Sequence, residues 1–152
     1  MSLRNIGMIF ENVVHRQLLK TRQQVYREVD VIKKFGKHIT AIDHMMDLPD
    51  VSICIQDKFQ KNSISIDKTC HFIQNVNMVS HILNKKCVGI YLTKSLLSKP
   101  SQDAFLNENK KNQNAFIMIY GENQEILIKN LSRYFYQNGL YMYDSDGDCI
   151  MI

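Results

Sequence analysis

The stretch VSICIQDKF, residues 51–59, is the part of the sequence that decides the fold. It is a short, largely β-branched apolar run that ends in polar residues, which is typical of a buried strand. Residues 37–46 before it are also rich in Ile and Met, and the segment DLPD at 47–50 separates the two runs. Proline flanked by aspartates favours a turn. The sequence therefore predicts two antiparallel strands joined as a hairpin.

Further helices and strands are predicted on both sides of this hairpin. Apolar residues at steps of three and four indicate helices, and short continuous apolar runs indicate buried strands. The predicted helices cover residues 3–20, 67–84 with Asp67 as N-cap, a short polar segment after Pro100, and 122–138; the predicted strands lie at 25–31, 87–93 and 115–120. This order predicts an α/β domain with helices packed on a mixed sheet of about four to five strands.

Length and composition indicate one globular domain over residues 1–152. Hydrophobic residues make up 45% of the chain and charged residues 22%, which argues against disorder. No apolar run approaches the roughly 18 residues that cross a bilayer, and the run at 6–10 is too short for a signal-peptide core. The four cysteines form no CxxC pair, so they indicate neither a zinc site nor a disulfide framework. We expect an intracellular protein with reduced, buried cysteines and no membrane partner. The abundance of Asn, Ile and Lys suggests an AT-rich genome, for example a viral one.

Charge is distributed unevenly along the chain. The net charge is +4 overall, but residues 1–40 carry +5, residues 41–57 carry −4, residues 58–111 carry +6, and the rest carries −3. An acidic segment between two basic ones is what a site needs if it binds a divalent cation while it holds a polyanion. The alternative is a solvated hairpin whose charges have no such role.

Four polar residues from three segments are candidates for one site. Glu11 falls on an apolar flank of the first predicted helix, and Asp43 shares a strand face with apolar residues. A carboxylate in such surroundings needs an ion pair or a bound cation. Gln56 and Lys58 share the face of their strand that lies opposite the aliphatic residues. Glu11, Asp43, Gln56 and Lys58 would together supply two carboxylates, an amide oxygen and an ammonium.

These groups suit metal-assisted hydrolysis. Oxygen ligands fit Mg²⁺, which lowers the pKa of bound water and neutralises phosphodiester charge. Lys58 would hold the attacking water or stabilise developing charge. The alternative without a metal is an ion pair of Lys58 with Asp43 or Asp57, and an ion pair of Glu11 with His15. The sequence leaves both interpretations open.

Three stretches resemble the PD-(D/E)XK nucleases, and among them the Mrr-like endonucleases whose last motif is often QxK. GMIFENVV at 7–14 resembles their GxxFExxV helix, Ile42-Asp43 their strand aspartate, and IQDKF at 55–59 their QxK strand. Twelve residues, 44–55, separate Asp43 from Gln56, a hairpin length similar to that of Mrr-like enzymes and archaeal Holliday-junction resolvases. Downstream, VGIYLTK at 88–94 is similar to their strand-Thr-helix segment. The resemblance covers roughly residues 7–120.

The resemblance implies a restriction-endonuclease-like core and hydrolysis of DNA. It implies Mg²⁺, with Mn²⁺ as a substitute, held by Asp43, Gln56 and the carbonyl of Asp57, with Glu11 often acting through water. Lys58 would be catalytic. Gln56 departs from the commoner acidic residue, since an amide brings an oxygen without a charge. Pro49-Asp50 is a literal PD, but it leaves only five residues before Gln56, so Asp43 is preferred.

Other interpretations of the function stay open. Lys61 and Lys94 are candidate DNA contacts, although any single lysine can be ordinary surface. A structure-specific nuclease similar to junction resolvases is one alternative, and a homodimer with two sites would favour it. A catalytically silent DNA-binding or interaction module with the same fold is another. DSDGD at 144–148 suggests a calcium loop but lacks the distal Glu of an EF-hand, so a solvated turn is preferred.

Overall fold

A computed structural model describes the backbone of residues 3–150 and the side chains of residues 6–150. Five helices and five strands form an α/β domain, in the order α1 (Leu3–Leu19), β1 (Tyr26–Arg27), α2 (Glu28–Phe35), β2 (His44–Asp47), β3 (Ser52–Lys58), α3 (Ile66–Leu83), β4 (Cys87–Thr93), α4 (Lys99–Lys110), β5 (Ala115–Tyr120) and α5 (Gln124–Gln137). No helix in this described part is long and apolar enough to cross a membrane.

One mixed sheet carries the strands in the order β1-β2-β3-β4-β5. The pairs β1–β2 and β2–β3 are antiparallel, whereas β3–β4 and β4–β5 are parallel. The predicted hairpin is therefore correct, and β4 is reached by a helical crossover through α3. This confirms the mixed α/β sheet flanked by helices that the sequence predicts.

Both faces of the sheet are buried. Cys54 of β3 packs with Met45 in a core that α3 and α4 cover through Phe72 and Phe105. Ile55, on the opposite face of β3, belongs to a second core that α1 and α5 cover. The sequence pattern places the aliphatic residues of this strand on one face; the structure buries the opposite face as well, because helices pack on both sides as they do on parallel strands.

Two predicted strand segments and one predicted cap differ from the structure. The valines between 25 and 31 lie mostly in helix α2, since only Tyr26–Arg27 pair as a strand. Residues 37–43 are irregular, and β2 begins at His44. The N-cap of α3 is Ser65, whose hydroxyl accepts a hydrogen bond from the Lys68 amide, whereas Asp67 lies in the first turn. A serine hydroxyl satisfies an otherwise unpaired amide at a helix start.

Candidate metal and phosphate site

Strand register brings three polar residues into one row at an end of the sheet. Arg27 pairs with His44 on β1 and β2, so the next residue, Glu28, falls beside Asp43. His44 in turn pairs with Ile55 of β3, which sets Asp43 beside Gln56. The antiparallel ladders thus align residues that are far apart in the sequence.

Hydrogen bonds hold Asp43 in this row. Its Oδ2 accepts from Gln56 Nε2 at 2.9 Å and from the Asp57 amide at 2.8 Å. Its own amide donates to the Ile55 carbonyl at 2.8 Å. The side chain is only 9% exposed, and burial raises the pKa of Asp43 to about 8. The nearby Asp57 and Glu11 carboxyls also raise this pKa, against the opposing hydrogen bond from the Asp57 amide.

Helix α1 brings a further carboxylate to the same place. Its buried residue Phe10 stacks on Phe59, just beyond the end of β3, with the ring centroids 4.6 Å apart. This contact fixes α1 against the end of β3, so that Glu11, the next residue, reaches the row. One carboxylate oxygen each of Glu11, Glu28 and Asp43 lies within 4.8 Å of the others. We call these three residues the acidic cluster.

Glu28 was not expected from the sequence. It lies within the strand predicted at 25–31, and its proximity to Asp43 depends on the β1–β2 register. Burial raises the pKa of Glu28, and the charge of Glu11 raises it further. Three carboxylates this close repel one another when ionised, and a bound cation relieves that repulsion.

Gln56 supplies an oxygen that nothing in the described part of the chain satisfies. The residue is 6% exposed, and its Oε1 has no hydrogen-bond partner although its Nε2 is bound to Asp43. A buried polar atom without a partner is costly, and such atoms often face an ion or ordered water. An amide oxygen beside three carboxylates is a donor set that fits Mg²⁺.

The Asp57 side chain lies on the other face of β3, where it meets His44. His44 is fully buried, and its Nε2 lies 2.5 Å from Asp57 Oδ2. Burial lowers the pKa of His44 to about 4, and burial raises that of Asp57 well above its usual range. The uncharged pair is therefore favoured. The sequence indicates Asp57 only for its carbonyl and as an alternative partner of Lys58, and it does not predict the contact with His44, because the periodicity does not indicate which face of β3 meets α1.

Lys58 lies at the end of β3 without an ion pair. Among residues 6–150 no carboxylate oxygen lies within 4.0 Å of its ammonium, so the alternative ion pairs with Asp43 and Asp57 are not formed. Burial lowers the pKa of Lys58, and the nearby Lys68 lowers it further, whereas the charges of Asp43 and Asp57 raise it. The Lys58 ammonium thus interacts electrostatically with the Asp43 and Asp57 carboxylates but forms no ion pair with them.

A cleft of about 800 Å³ opens beside Lys58. We call it the lysine cleft; its described lining is Ile6, Asp57, Lys58, Phe59, Gln60, Lys61, Asn62, Lys68 and Lys94. Both lysines expected to contact DNA, Lys61 and Lys94, are in this lining. The Lys94 ammonium lies 4.4 Å from the centre of the Phe59 ring, a cation–π contact. The cleft offers four ammonium groups to a polyanion.

Other expectations have plain outcomes. Within the described side chains, Glu11 and His15 form no ion pair within 4.0 Å. The 144–148 segment is a turn in which Asp144 Oδ1 accepts from the Asp146 and Asp148 amides, in agreement with the preferred interpretation. Cys149 is exposed, so the expectation of uniformly buried cysteines is wrong; all four are free.

Comparisons with protein-family models, with curated proteins and with solved structures found no match.

Proposed function

We propose that this protein is a Mg²⁺-dependent endonuclease of the PD-(D/E)XK type that hydrolyses phosphodiester bonds of DNA, with a restriction-endonuclease-like core. The observation that carries the proposal is the buried, unpartnered Oε1 of Gln56 beside the acidic cluster, with an unpaired Lys58 two residues on. The motif resemblance and the mixed sheet flanked by helices support it.

The residues present fit a hard divalent cation. Asp43, Glu11 and Glu28 would hold it with their carboxylates, and Gln56 with its amide oxygen. When bound, the cation would lower the pKa of a coordinated water and neutralise charge on the phosphate. Glu28 would supply the negative charge that Gln56 lacks in comparison with the commoner acidic motif.

Lys58 acts on the phosphate. Because its ammonium has no carboxylate partner within 4.0 Å, it is available to a non-bridging phosphate oxygen or to the attacking water. Its partial burial strengthens such a contact, since charge interactions weaken in bulk water. The Asp57 amide, bonded to Asp43 Oδ2, keeps the carboxylate oriented while Lys58 binds the phosphate.

The lysine cleft positions the nucleic acid. Lys61, Lys68 and Lys94 line it together with Lys58, so a strand along the cleft has its phosphates neutralised on the way to the acidic cluster. Such contacts set position and orientation without reading base sequence. DNA affinity should accordingly fall steeply with salt.

The test is cleavage of supercoiled plasmid and of a four-way junction, each with Mg²⁺, with Mn²⁺, and with a chelator. We expect metal-dependent cutting by the wild type and none by Asp43→Asn. Preference for the junction, together with a dimeric mass in solution, would favour the resolvase-like alternative. Metal-independent DNA binding without any cutting would contradict the proposal and favour the silent module.

A further inference from the structure

We propose that a second pocket, next to the acidic cluster, binds a phosphate group through two arginines. The pocket has a volume of about 370 Å³, and its described lining is Ile9, Asn12, His15, Arg16 and Arg27. We call it the arginine pocket. Its volume is within the range of ordinary ligand sites. No acidic residue is among the side chains that line it.

Each polar residue in the lining carries at least one N–H group that can donate. The Arg27 guanidinium donates a hydrogen bond to Asn12 Oδ1, which orients both side chains. The NH₂ group of Asn12 takes no part in this bond and can donate to a ligand. Nδ1 of His15 is buried and has no partner among the described residues. A phosphate would offer several acceptor oxygens to these groups.

Neither arginine has a counter-ion. Among residues 6–150, no carboxylate oxygen lies within 4.0 Å of Arg16 or Arg27. Arg27 is half-buried, and a partly buried guanidinium normally pairs with a carboxylate or a phosphate. Its planar fork matches two phosphate oxygens at once, which a lysine ammonium does not.

Shared residues place the arginine pocket next to the proposed reaction centre. Asn12 and Arg27 line this pocket, and both also line a neighbouring cavity together with Glu11 and Glu28 of the acidic cluster. A nucleic-acid strand whose reacting phosphate lies at the acidic cluster therefore has a neighbouring phosphate within reach of the arginine pocket.

The recognised chemistry is a phosphate group of a nucleic-acid strand. It is either an internal phosphodiester or a terminal phosphomonoester, and both present oxygens to the same donors. This identity of the ligand rests on the proposed function. The phosphate-binding property itself rests only on the arginines, Asn12 and His15.

The first test needs no metal and no cleavage. Inorganic phosphate is titrated into the protein while the side-chain N–H signals of Arg27 and Asn12 are followed by NMR. We expect saturable shifts in the wild type. The Asn12→Asp variant retains an acceptor for Arg27 but adds a negative charge, so the fold is kept and the shift of the remaining reporter, Arg27, should disappear. Equal Arg27 shifts in wild type and Asn12→Asp would overturn the inference, as would their absence in the wild type.

The second test uses short labelled DNA strands with Ca²⁺ in place of Mg²⁺, with and without a 5′-phosphate. Arg16→Gln should weaken binding about 10-fold, the loss expected for one charge-assisted contact, and should lower the salt slope by about one. Arg133→Gln, an exposed arginine of α5 outside these pockets, is the matched control and should bind as the wild type does.

The two strands distinguish the sources of the phosphate. If the 5′-phosphate raises the affinity of the wild type and Arg16→Gln abolishes this gain, the bound group is a terminal phosphomonoester. If Arg16→Gln lowers the affinity for both strands by the same factor, the bound group is an internal phosphodiester. Unchanged affinity and salt slope in Arg16→Gln would overturn the inference. A protein that binds inorganic phosphate at this pocket but never cuts DNA would leave the inference standing and contradict the proposed function instead.

Discussion

Replacement of Asp43 by asparagine should stabilise the metal-free protein. Asp43 is 9% exposed, and burial raises its pKa from 3.8 to about 8, helped by the carboxyls of Asp57 and Glu11. The folded chain therefore carries a proton on Asp43 between these two pH values that the unfolded chain does not carry. Stability falls as pH rises through this window, because ionisation becomes costly only in the folded state. Asparagine has no such ionisation.

The size of the effect follows from the shift. At about 1.4 kcal/mol per pKa unit, the rise of the Asp43 pKa from 3.8 to about 8 sets a ceiling of roughly 5 to 6 kcal/mol above pH 8. The new amide NH₂ group must find a partner, which costs about 1 to 3 kcal/mol where it does not. Part of the rise in the Asp43 pKa comes from charge repulsion by the Asp57 and Glu11 carboxyls, and these groups can take up protons themselves, so the gain in stability is smaller still. We expect a net gain of about 2 kcal/mol at pH 8.5, or about 4 to 8 °C in Tm, and little difference at pH 5.

Thermal unfolding with a chelator, from pH 5 to 8.5, measures this difference. The matched control is Asp47→Asn on the same hairpin. Burial opposes ionisation of Asp47, but hydrogen bonds from Lys85 and Ser52 outweigh it and lower the pKa of Asp47. That change should destabilise at neutral pH, with an effect that fades in acid. An Asp43→Asn protein that is less stable than wild type at pH 8.5, or whose gain does not grow with pH, would show that burial does not raise the pKa of Asp43 in the folded chain.

Three further changes probe the site. Gln56→Glu places a second carboxylate beside Asp43 Oδ2, so we expect a lower Tm without metal and a larger rise in Tm when Mg²⁺ is added. The variant should still cut DNA, at a lower half-saturating Mg²⁺ concentration. An unchanged Mg²⁺ dependence would count against Gln56 as a ligand. His44→Leu removes the partner of the buried Asp57 carboxyl and should cost about 1 to 3 kcal/mol of unfolding free energy; a neutral result in chemical denaturation would mean that the pair contributes nothing. Lys61→Ala, in the lysine cleft, should lower the salt slope of DNA binding by about one, and a slope equal to that of wild type would place the strand elsewhere.

The hairpin and four residues of the candidate site could be predicted because local signals agree. The turn at 47–50 fixes the β2–β3 register, and that register sets Asp43 beside Gln56. Lys58 then follows on the same strand face two residues later. The apolar stripe of α1 indicates the face on which Phe10 is buried, and Glu11 is the adjacent residue.

Glu28 and His44 could not be predicted from such signals. Valines around 25–31 fit a strand by composition, but the Arg27 amide donates to the Asp30 carboxylate and starts a helix there, which leaves Glu28 at its first turn. Proximity of Glu28 to Asp43 then depends on a two-residue pairing, Tyr26–Arg27 with His44–Met45. So short a strand has no periodicity to detect. His44 is buried because α1 covers its face, a tertiary effect that single-sequence patterns do not contain.

Single-turnover cleavage of DNA at saturating Mg²⁺ shows whether Lys58 acts on a phosphate held at a metal site. Lys58→Ala is compared with Lys61→Ala from the same cleft, with Tm and DNA affinity measured for both. We expect Lys58→Ala to lower the cleavage rate on the order of 100-fold or more, as for other preorganised electrostatic groups. The Tm of this variant should be nearly unchanged, because the Lys58 ammonium has no ion pair to lose. Lys61→Ala should weaken binding and leave the saturated rate intact. A Lys58→Ala protein that melts early yet cuts at the wild-type rate would contradict the account.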